Sequence, residues 1–423
     1  MINRRKVALD ALIEVGENYG YSNLVLQKQF EKHRVENIDK PFITALFYGV
    51  LDRKITLEYV ISQFSKGSIN KIKPITLYAL RLAVYQILYM DKVPDSAAVN
   101  ESVKLVKFSK EKYNAAFVNG VLRSLLREGI NFPKPDSPEA LEIIYSCPKW
   151  IIESFIADYG YQNAVLILKH SLDVPEIVLR INTLKVSDEE LIEKLVSSGF
   201  SVKPCDVAHA AVLDIGNDVK QLPGYAEGLF HIQDLPSQIA INKLGVLPDD
   251  SVIDLCAAPG GKSFTAAQYA NNSDDLLACD VFEHRVQLIK SGAKRLGINS
   301  LKCIVHNSAV FDSGLGEFDK VICDVPCSGL GVIRRKPEIK YKVDLDLNEL
   351  SATQISVLNN GLKYLKSGGK LLYSTCTLRK AENEDIVRAC LKNLTDYDLD
   401  YEYTFLPGNT KTDGFYFAII KRR

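Results

Sequence analysis

Apolar positions recur at helical spacing from the start of the chain to about residue 130. Val7, Ala11, Leu12 and Val15 mark one stripe. A wider one, Phe42, Ile43, Leu46, Phe47 and Val50, follows Asp39, an N-cap candidate, and Pro41. Two more stripes hold Leu77, Leu80, Val84, Ile87 and Leu88, then Phe117, Val121, Leu122 and Leu125, with Gly67, Pro74 and Pro94 as punctuation. The pattern predicts an all-α bundle over 1–130. Residues 131–175 begin as a proline-bearing linker, Gly129 to Ser137, and continue through a helical passage around Trp150 to Leu168. Over 176–245 the period changes. A strand from Ile177 leads to a helix opened by the capping box Ser187-Asp188-Glu189-Glu190, then to a strand at Phe200 to Val202, which predicts a small α+β domain. From 246 to 423 short apolar runs alternate with helical stretches: VIDLC from Val252, LLACDV from Leu276, LKCIV from Leu301, KVICDV from Lys320, KLLYST from Lys370 and FYFAII from Phe415. That alternation predicts a mostly parallel, doubly wound α/β sheet.

Composition changes this picture little. The 423 residues are 47% hydrophobic and 25% charged, which is ordinary for a globular protein of more than one domain. No apolar stretch approaches the roughly 18 residues that span a bilayer, so no membrane partner is expected. The basic start, Arg4-Arg5-Lys6, has no apolar segment behind it and does not read as a secretory signal. Nine cysteines, an odd number, then point to reduced thiols in a cytoplasm. None are spaced as a metal-binding pair: Cys323 and Cys327 are nearest, and a strand–loop spacing of that kind is poor zinc geometry. No metal is expected.

Charge is more informative once it is divided. The chain as a whole is neutral, with 52 Lys/Arg and 52 Asp/Glu. Residues 1–130 hold 20 basic against 13 acidic side chains, and the remainder 32 against 39. A basic front on an acidic body fits either a polyanion partner or a lysine-rich solvated surface. Lys6, Lys71, Lys73, Arg81, Arg123 and Arg127 are the candidate phosphate contacts.

The chemistry-bearing residues gather where predicted strands end. Two cysteines do so in polar turns: Cys327 in Asp324-Val325-Pro326-Cys327-Ser328-Gly329, and Cys376 in Ser374-Thr375-Cys376-Thr377. Ligands of open α/β sheets bind outside the carboxyl ends of the strands, so two thiols and the Asp324 carboxylate meet at the ligand edge and suggest covalent catalysis. The first strand leads into Cys256-Ala257-Ala258-Pro259-Gly260-Gly261-Lys262 ahead of a helix. Small residues and a helix N-terminus allow backbone to approach a ligand. The dinucleotide glycine pattern is missing, and a P-loop would need glycine where Cys256 stands. A nucleoside without phosphates, such as S-adenosyl-L-methionine, needs neither. Asp280, at the end of the second strand, is placed to accept hydrogen bonds from a ribose. Cys279, Cys303, Cys323 and Cys390 read as small core hydrophobes, Cys147 and Cys205 as structural or incidental, and His284 and His306 as surface or capping residues.

Together these motifs, with Gly331-Val332-Ile333-Arg334-Arg335, Glu382-Asn383-Glu384, Tyr225 to Gln238 and the terminal Asp413-Gly414-Phe415-Tyr416, resemble the RsmB (Sun/Fmu) family of RNA cytosine-C5 methyltransferases. Residues 1–130 are similar to the NusB-type RNA-binding domain that the family carries in front. The resemblance implies S-adenosyl-L-methionine along Cys256, Ala257, Ala258, Pro259, Gly260, Gly261 and Lys262, with Asp280 on its ribose and Asp324 near it. Where the family places an aspartate by the adenine, this chain has Ser308, which can hydrogen-bond without charge. Leu330 stands where threonine is common, without evident consequence.

The implied reaction adds a thiolate to C6 of cytosine, so that C5 becomes nucleophilic enough to take a methyl group. In the resembled RNA enzymes the nucleophile is the Thr-Cys cysteine, here Cys376, and Cys327 assists product release. In DNA cytosine methyltransferases the Pro-Cys cysteine attacks, which would reverse the two roles. Asp324 could select cytosine by its amino group and ring nitrogen. The implied partner is 16S ribosomal RNA, naked or in an assembling particle, and the expected state is a monomer. The same chemistry on tRNA or another RNA, or a NusB-like regulator without activity, are the alternatives.

Overall fold

The computed structural model describes residues 2–18, 22–203, 205–213, 219–342 and 346–423. The chain forms two compact units. In the first, the periodic stripes become helices α1 (Arg4–Asn18), α2 (Ser22–Lys32), α3 (Lys40–Asp52), α4 (Lys54–Phe64), α5 (Pro74–Tyr89), α6 (Asp95–Lys107) and α7 (Ala115–Glu128), followed by α8 (Pro138–Tyr145) and α9 (Lys149–His170). Leu12, Phe47, Leu80, Val84 and Leu122, one or more from each predicted stripe, are completely buried in a single core. Asp39 does occupy the position before α3, but its side chain makes no cap. One of its carboxylate oxygens instead pairs with Arg4 at 2.6 Å.

A stretch beginning at Ile333 belongs to this helical unit although its neighbours in sequence lie in the other. It forms a short turn at Pro337–Tyr341. Lys340 is buried there, and its ammonium donates to the Asp52 carbonyl at 2.7 Å and the Asp52 carboxylate at 2.8 Å. Nothing in the sequence pattern distinguishes this lysine from those in solvent.

The second unit holds two sheets. The smaller has β1 (Ile177–Ile181), β2 (Val202–Lys203), β3 (Ala210–Leu213) and β4 (Phe230–Ile232) in the order β2-β3-β1-β4, paired antiparallel. Helix α10 (Asp188–Ser197) packs in this region, and its capping box is present in both directions, Ser187 Oγ accepting from the Glu190 N–H and Glu190 accepting from the Ser187 N–H. β3 and β4 were not legible as strands, being short and flanked by turn residues.

The larger sheet is built from β5 (Val252–Asp254), β6 (Leu276–Asp280), β7 (Leu301–Val305), β8 (Phe318–Asp324), β9 (Leu365–Thr375), β10 (Tyr397–Phe405) and β11 (Phe415–Arg422). Its order is β10-β11-β9-β8-β5-β6-β7. The five strands from β9 to β7 run parallel, and β11 and β10 close one edge antiparallel. Helices α11 (Leu235–Leu244), α12 (Gly261–Tyr269), α13 (Glu283–Leu296), α14 (Leu347–Lys363) and α15 (Glu384–Leu391) accompany it. Successive β8 residues enter different cores, Val321 and Cys323 one and Ile322 the other, so both faces are dry. This two-sided burial explains why β8 reads as an unbroken apolar run. β10 escaped the sequence pattern because it is an exposed edge in which Asp398, Asp400 and Glu402 interrupt the apolar positions. Among the described residues, no helix is long and apolar enough to cross a membrane.

Candidate active site

Parallel pairing of β8 with β9 brings the two cysteine turns together. Asp324 lies opposite Ser374 in the register, and the Val325 N–H donates to the Ser374 carbonyl at 3.1 Å. The strands therefore release their chains side by side. Three residues beyond Asp324 and two beyond Ser374, the sulfurs of Cys327 and Cys376 stand 3.3 Å apart, both partly open to solvent.

Each turn is fixed by buried polar groups. The Glu382 carboxylate, fully buried, accepts the Ser328 N–H at 2.8 Å and the Gln354 amide at 3.1 Å, and its other oxygen meets Arg379 at 3.2 Å. Gln354 also donates to the Pro326 carbonyl at 2.9 Å, so Cys327 is held on both sides. The Cys376 turn is tied by Thr375 Oγ1 to Asn383 Oδ1 at 2.5 Å and by Asn383 Nδ2 to the Thr377 carbonyl at 3.1 Å. Its own carbonyl accepts the Gly331 N–H at 2.9 Å. A Cβ on Gly331 would meet the Gly414 carbonyl oxygen at 2.1 Å, so this closure requires glycine.

The two thiols share one hydrogen bond, which pushes the Cys327 pKa well above the ordinary thiol value, with burial and the nearby Glu382 charge acting in the same direction. Burial likewise pushes up Cys279, to about 12, and Cys323, well above the usual value, as befits core residues. Cys147 is buried in the helical unit and raised to about 12.

Asp324 is held by two partners. One oxygen pairs with Lys262 Nζ at 2.8 Å and the other accepts the Ser374 hydroxyl at 2.8 Å. Lys262 is nearly buried and lies over the Phe415 ring, 5.2 Å from its centroid. It thus faces the cysteine side of the site. Asp254, to which the sequence assigned no role, is buried with its pKa raised to about 7, chiefly by desolvation. The Ser263 hydroxyl, donating at 2.6 Å, opposes that rise and the Asp324 charge adds to it.

The glycine turn has the expected form. Gly260 has φ of 111°, and a Cβ there would strike the Phe264 ring at 2.2 Å. A Cβ on Gly261 would find no atom nearer than 3.8 Å, so the first turn of α12 leaves open space. One Asp280 oxygen accepts the Phe282 N–H at 3.2 Å, and the other has, among the described residues, only Arg285 at 3.9 Å, which leaves it able to accept further hydrogen bonds. Ser308 Oγ donates to the Leu255 carbonyl at 2.5 Å and so presents its oxygen as an acceptor. Cys256 begins the turn with its N–H 3.4 Å from Asp254. Open space, a free carboxylate oxygen and an available acceptor suit an adenosine-containing ligand. His284 stacks on Phe282, apart from both cysteine turns.

Paired cysteines at adjacent strand ends, beside a glycine turn on a doubly wound sheet, fit the methyltransferase class. Comparison with known proteins gives the same class. The model of the 16S rRNA methyltransferase RsmB/F family matches residues 242–421, that of the NusB family residues 2–127, and that of the RsmF/B-like ferredoxin-like domain residues 147–220. A probable ribosomal RNA small subunit methyltransferase B of Bacillus subtilis is 34% identical, with 99% of this chain and 98% of the relative covered. One from Synechocystis is 31% identical over the whole of both chains. The solved structure of PH0851 shares 26% identity with a TM-score of 0.84 and covers 100% of this chain and 99% of its own. A methyltransferase homologue from Pyrococcus horikoshii shares 27% identity with a TM-score of 0.60, covering 68% of this chain and 99% of its own. The chain belongs to the ribosomal RNA small subunit methyltransferase B family, with a NusB-type domain in front, and is an rRNA methyltransferase.

Proposed function

We propose that the protein methylates carbon 5 of a cytosine in 16S ribosomal RNA, using S-adenosyl-L-methionine and a covalent link from Cys376 to C6 of the base. The observation that carries the assignment of roles is the thiol pair. Two sulfurs 3.3 Å apart cannot both be ionised cheaply, and the pair shares its first negative charge. The Glu382 carboxylate behind Cys327 disfavours a charge on that sulfur, which supports placing the thiolate on Cys376. Cys376 is therefore the nucleophile and Cys327 the assistant.

S-adenosyl-L-methionine, held along Cys256 to Lys262 with its ribose on Asp280 and its adenine by Ser308, supplies an electrophilic methyl group. Attack of the Cys376 thiolate forms the S–C6 bond and places the electron pair at C5, which would take the methyl group as the sulfonium S–CH3 bond breaks and the neutral thioether leaves. Once bonded to carbon, the Cys376 sulfur has no proton or charge to share with Cys327, and the hydrogen bond between the two thiols is lost. Cys327 then releases its own proton to solvent, to which it is partly open, and as a thiolate takes the C5 proton, whose bonding pair forms the C5–C6 double bond. The S–C6 bond then breaks and Cys376 departs as a thiolate.

Cytosine selection divides between two side chains. Asp324 accepts from the exocyclic amino group, and Lys262, which already touches that carboxylate, donates to a ring acceptor as negative charge develops. Uracil offers no amino group and leaves Asp324 facing a carbonyl. The target base must leave its stack to reach the turns, which requires a grip on flanking RNA. The NusB-type unit, with its basic excess, provides it.

The test is methylation of unmodified 16S rRNA, bare and as assembling 30S particles, and of bulk tRNA, followed by nucleoside mass spectrometry. The expected product is 5-methylcytosine in 16S rRNA. The same nucleoside in tRNA alone would move the substrate, and a methyl group on any other atom would remove the mechanism.

A further inference from the structure

A turn at the end of α6 carries two exposed aromatic rings among lysines that have no acidic partner among the described residues. Phe108 is 83% and Tyr113 85% exposed, in a protein that buries most of its large apolar side chains. Lys107, Lys110 and Lys112 are exposed around them, and Lys112 Nζ lies 5.4 Å from the Tyr113 ring centroid. Lys104, one turn earlier, pairs with Glu101, but among the described residues these three lysines form no ion pair.

The turn is rigid because Glu111 is turned inward. Its carboxylate is buried and accepts the N–H groups of Ile75 and Thr76, at 3.2 and 2.8 Å, and the Thr76 hydroxyl at 2.7 Å. Asn114 donates to the same hydroxyl at 3.0 Å, and Ser109 Oγ accepts the Glu111 N–H at 3.0 Å. These bonds clasp the turn to the start of α5, just after Lys71 and Lys73, which are also exposed and unpaired among the described residues. The only acidic side chain within the turn is therefore spent inside, and five lysines with two rings remain outside.

We infer that this face, formed by Lys71, Lys73, Lys107, Phe108, Lys110, Lys112 and Tyr113, docks a single-stranded segment of RNA, with phosphates on the lysines and bases stacked on the two rings. Rings held open to water on a stiff turn cost no ordering entropy when a base stacks on them. A duplex would engage the charges and leave the rings unused, and a predominantly apolar protein partner would strand five ammonium groups. The inference rests on the reading of the protein as an RNA enzyme and specifies where RNA flanking the target is held.

The test uses the full chain with a 12-nucleotide single-stranded RNA and a 12-base-pair duplex RNA, titrated over a salt series. The two sets of variants separate charge from stacking. Lys107→Gln with Lys110→Gln and Lys112→Gln should weaken single-strand binding and reduce the slope of log affinity against log salt by about 2, at ~0.7 per phosphate lost. Phe108→Ala with Tyr113→Ala should weaken single-strand binding at least tenfold with the slope unchanged, and barely alter duplex binding. Phe108→Trp with Tyr113→Trp should retain the affinity. Wild-type affinity and slope in both sets, or equal losses on duplex and single strand in the aromatic variant, would overturn the inference. A wild-type chain that neither binds nor methylates RNA would overturn the underlying reading as well, and that outcome is seen without any variant.

Discussion

At the scale of single residues, Glu382 bears more of the site than its sequence position suggests. It is a buried carboxylate that restrains the turn behind Cys327 while its charge raises the Cys327 pKa. Glu382→Gln keeps an acceptor for the Ser328 N–H but removes the charge, so Cys327 should ionise at lower pH. Alkylation of Cys327 by iodoacetamide, followed against pH in a Cys376→Ser background, checks this, and an unmoved profile contradicts it. Glu382→Ala strands the Ser328 N–H, Gln354 and Arg379, and should lower kcat by about 100-fold through misplacement of Cys327, while cofactor affinity stays within about twofold. The cysteines, Asp324 and the glycine turn were legible because their residue types and strand-end positions announce chemistry. Glu382 was visible only as part of a motif, and Asp254 as a strand residue. Their parts depend on partners far away in sequence, and no local pattern encodes those.

At the scale of elements, periodicity located the helices and the buried parallel strands, where hydrophobic burial on one or both faces writes itself into the sequence. It missed β3, β4 and β10, which are short or lie at an exposed edge, where pairing is dictated by the neighbouring strand. It also gave no sign that the turn around Lys340 joins the helical unit. That turn is anchored by one buried ammonium on Asp52. Lys340→Met should cost the helical unit about 3 kcal/mol, because it leaves the Asp52 acceptors without their cation. Adding Asp52→Asn should recover part of the loss. Urea unfolding of the variants measures both, and wild-type stability in Lys340→Met would show that the buried pair contributes nothing.

At the scale of the whole molecule, a neutral chain divides into a basic helical unit and an acidic remainder, and the divided charge matches a divided task. In the proposed function the NusB-type unit holds RNA and the sheet unit performs chemistry on one base. In the proposed mechanism Cys376 attacks and Cys327 assists release. Denaturing gel electrophoresis of each alanine variant with labelled 16S rRNA and S-adenosyl-L-methionine distinguishes the two roles. A sulfur–carbon bond survives denaturation, whereas phosphate contacts do not. Cys327→Ala is expected to accumulate a protein–RNA adduct, because elimination is slowed, and Cys376→Ala to form neither adduct nor 5-methylcytosine. An adduct in Cys376→Ala that is absent from Cys327→Ala would contradict this mechanism and exchange the two roles.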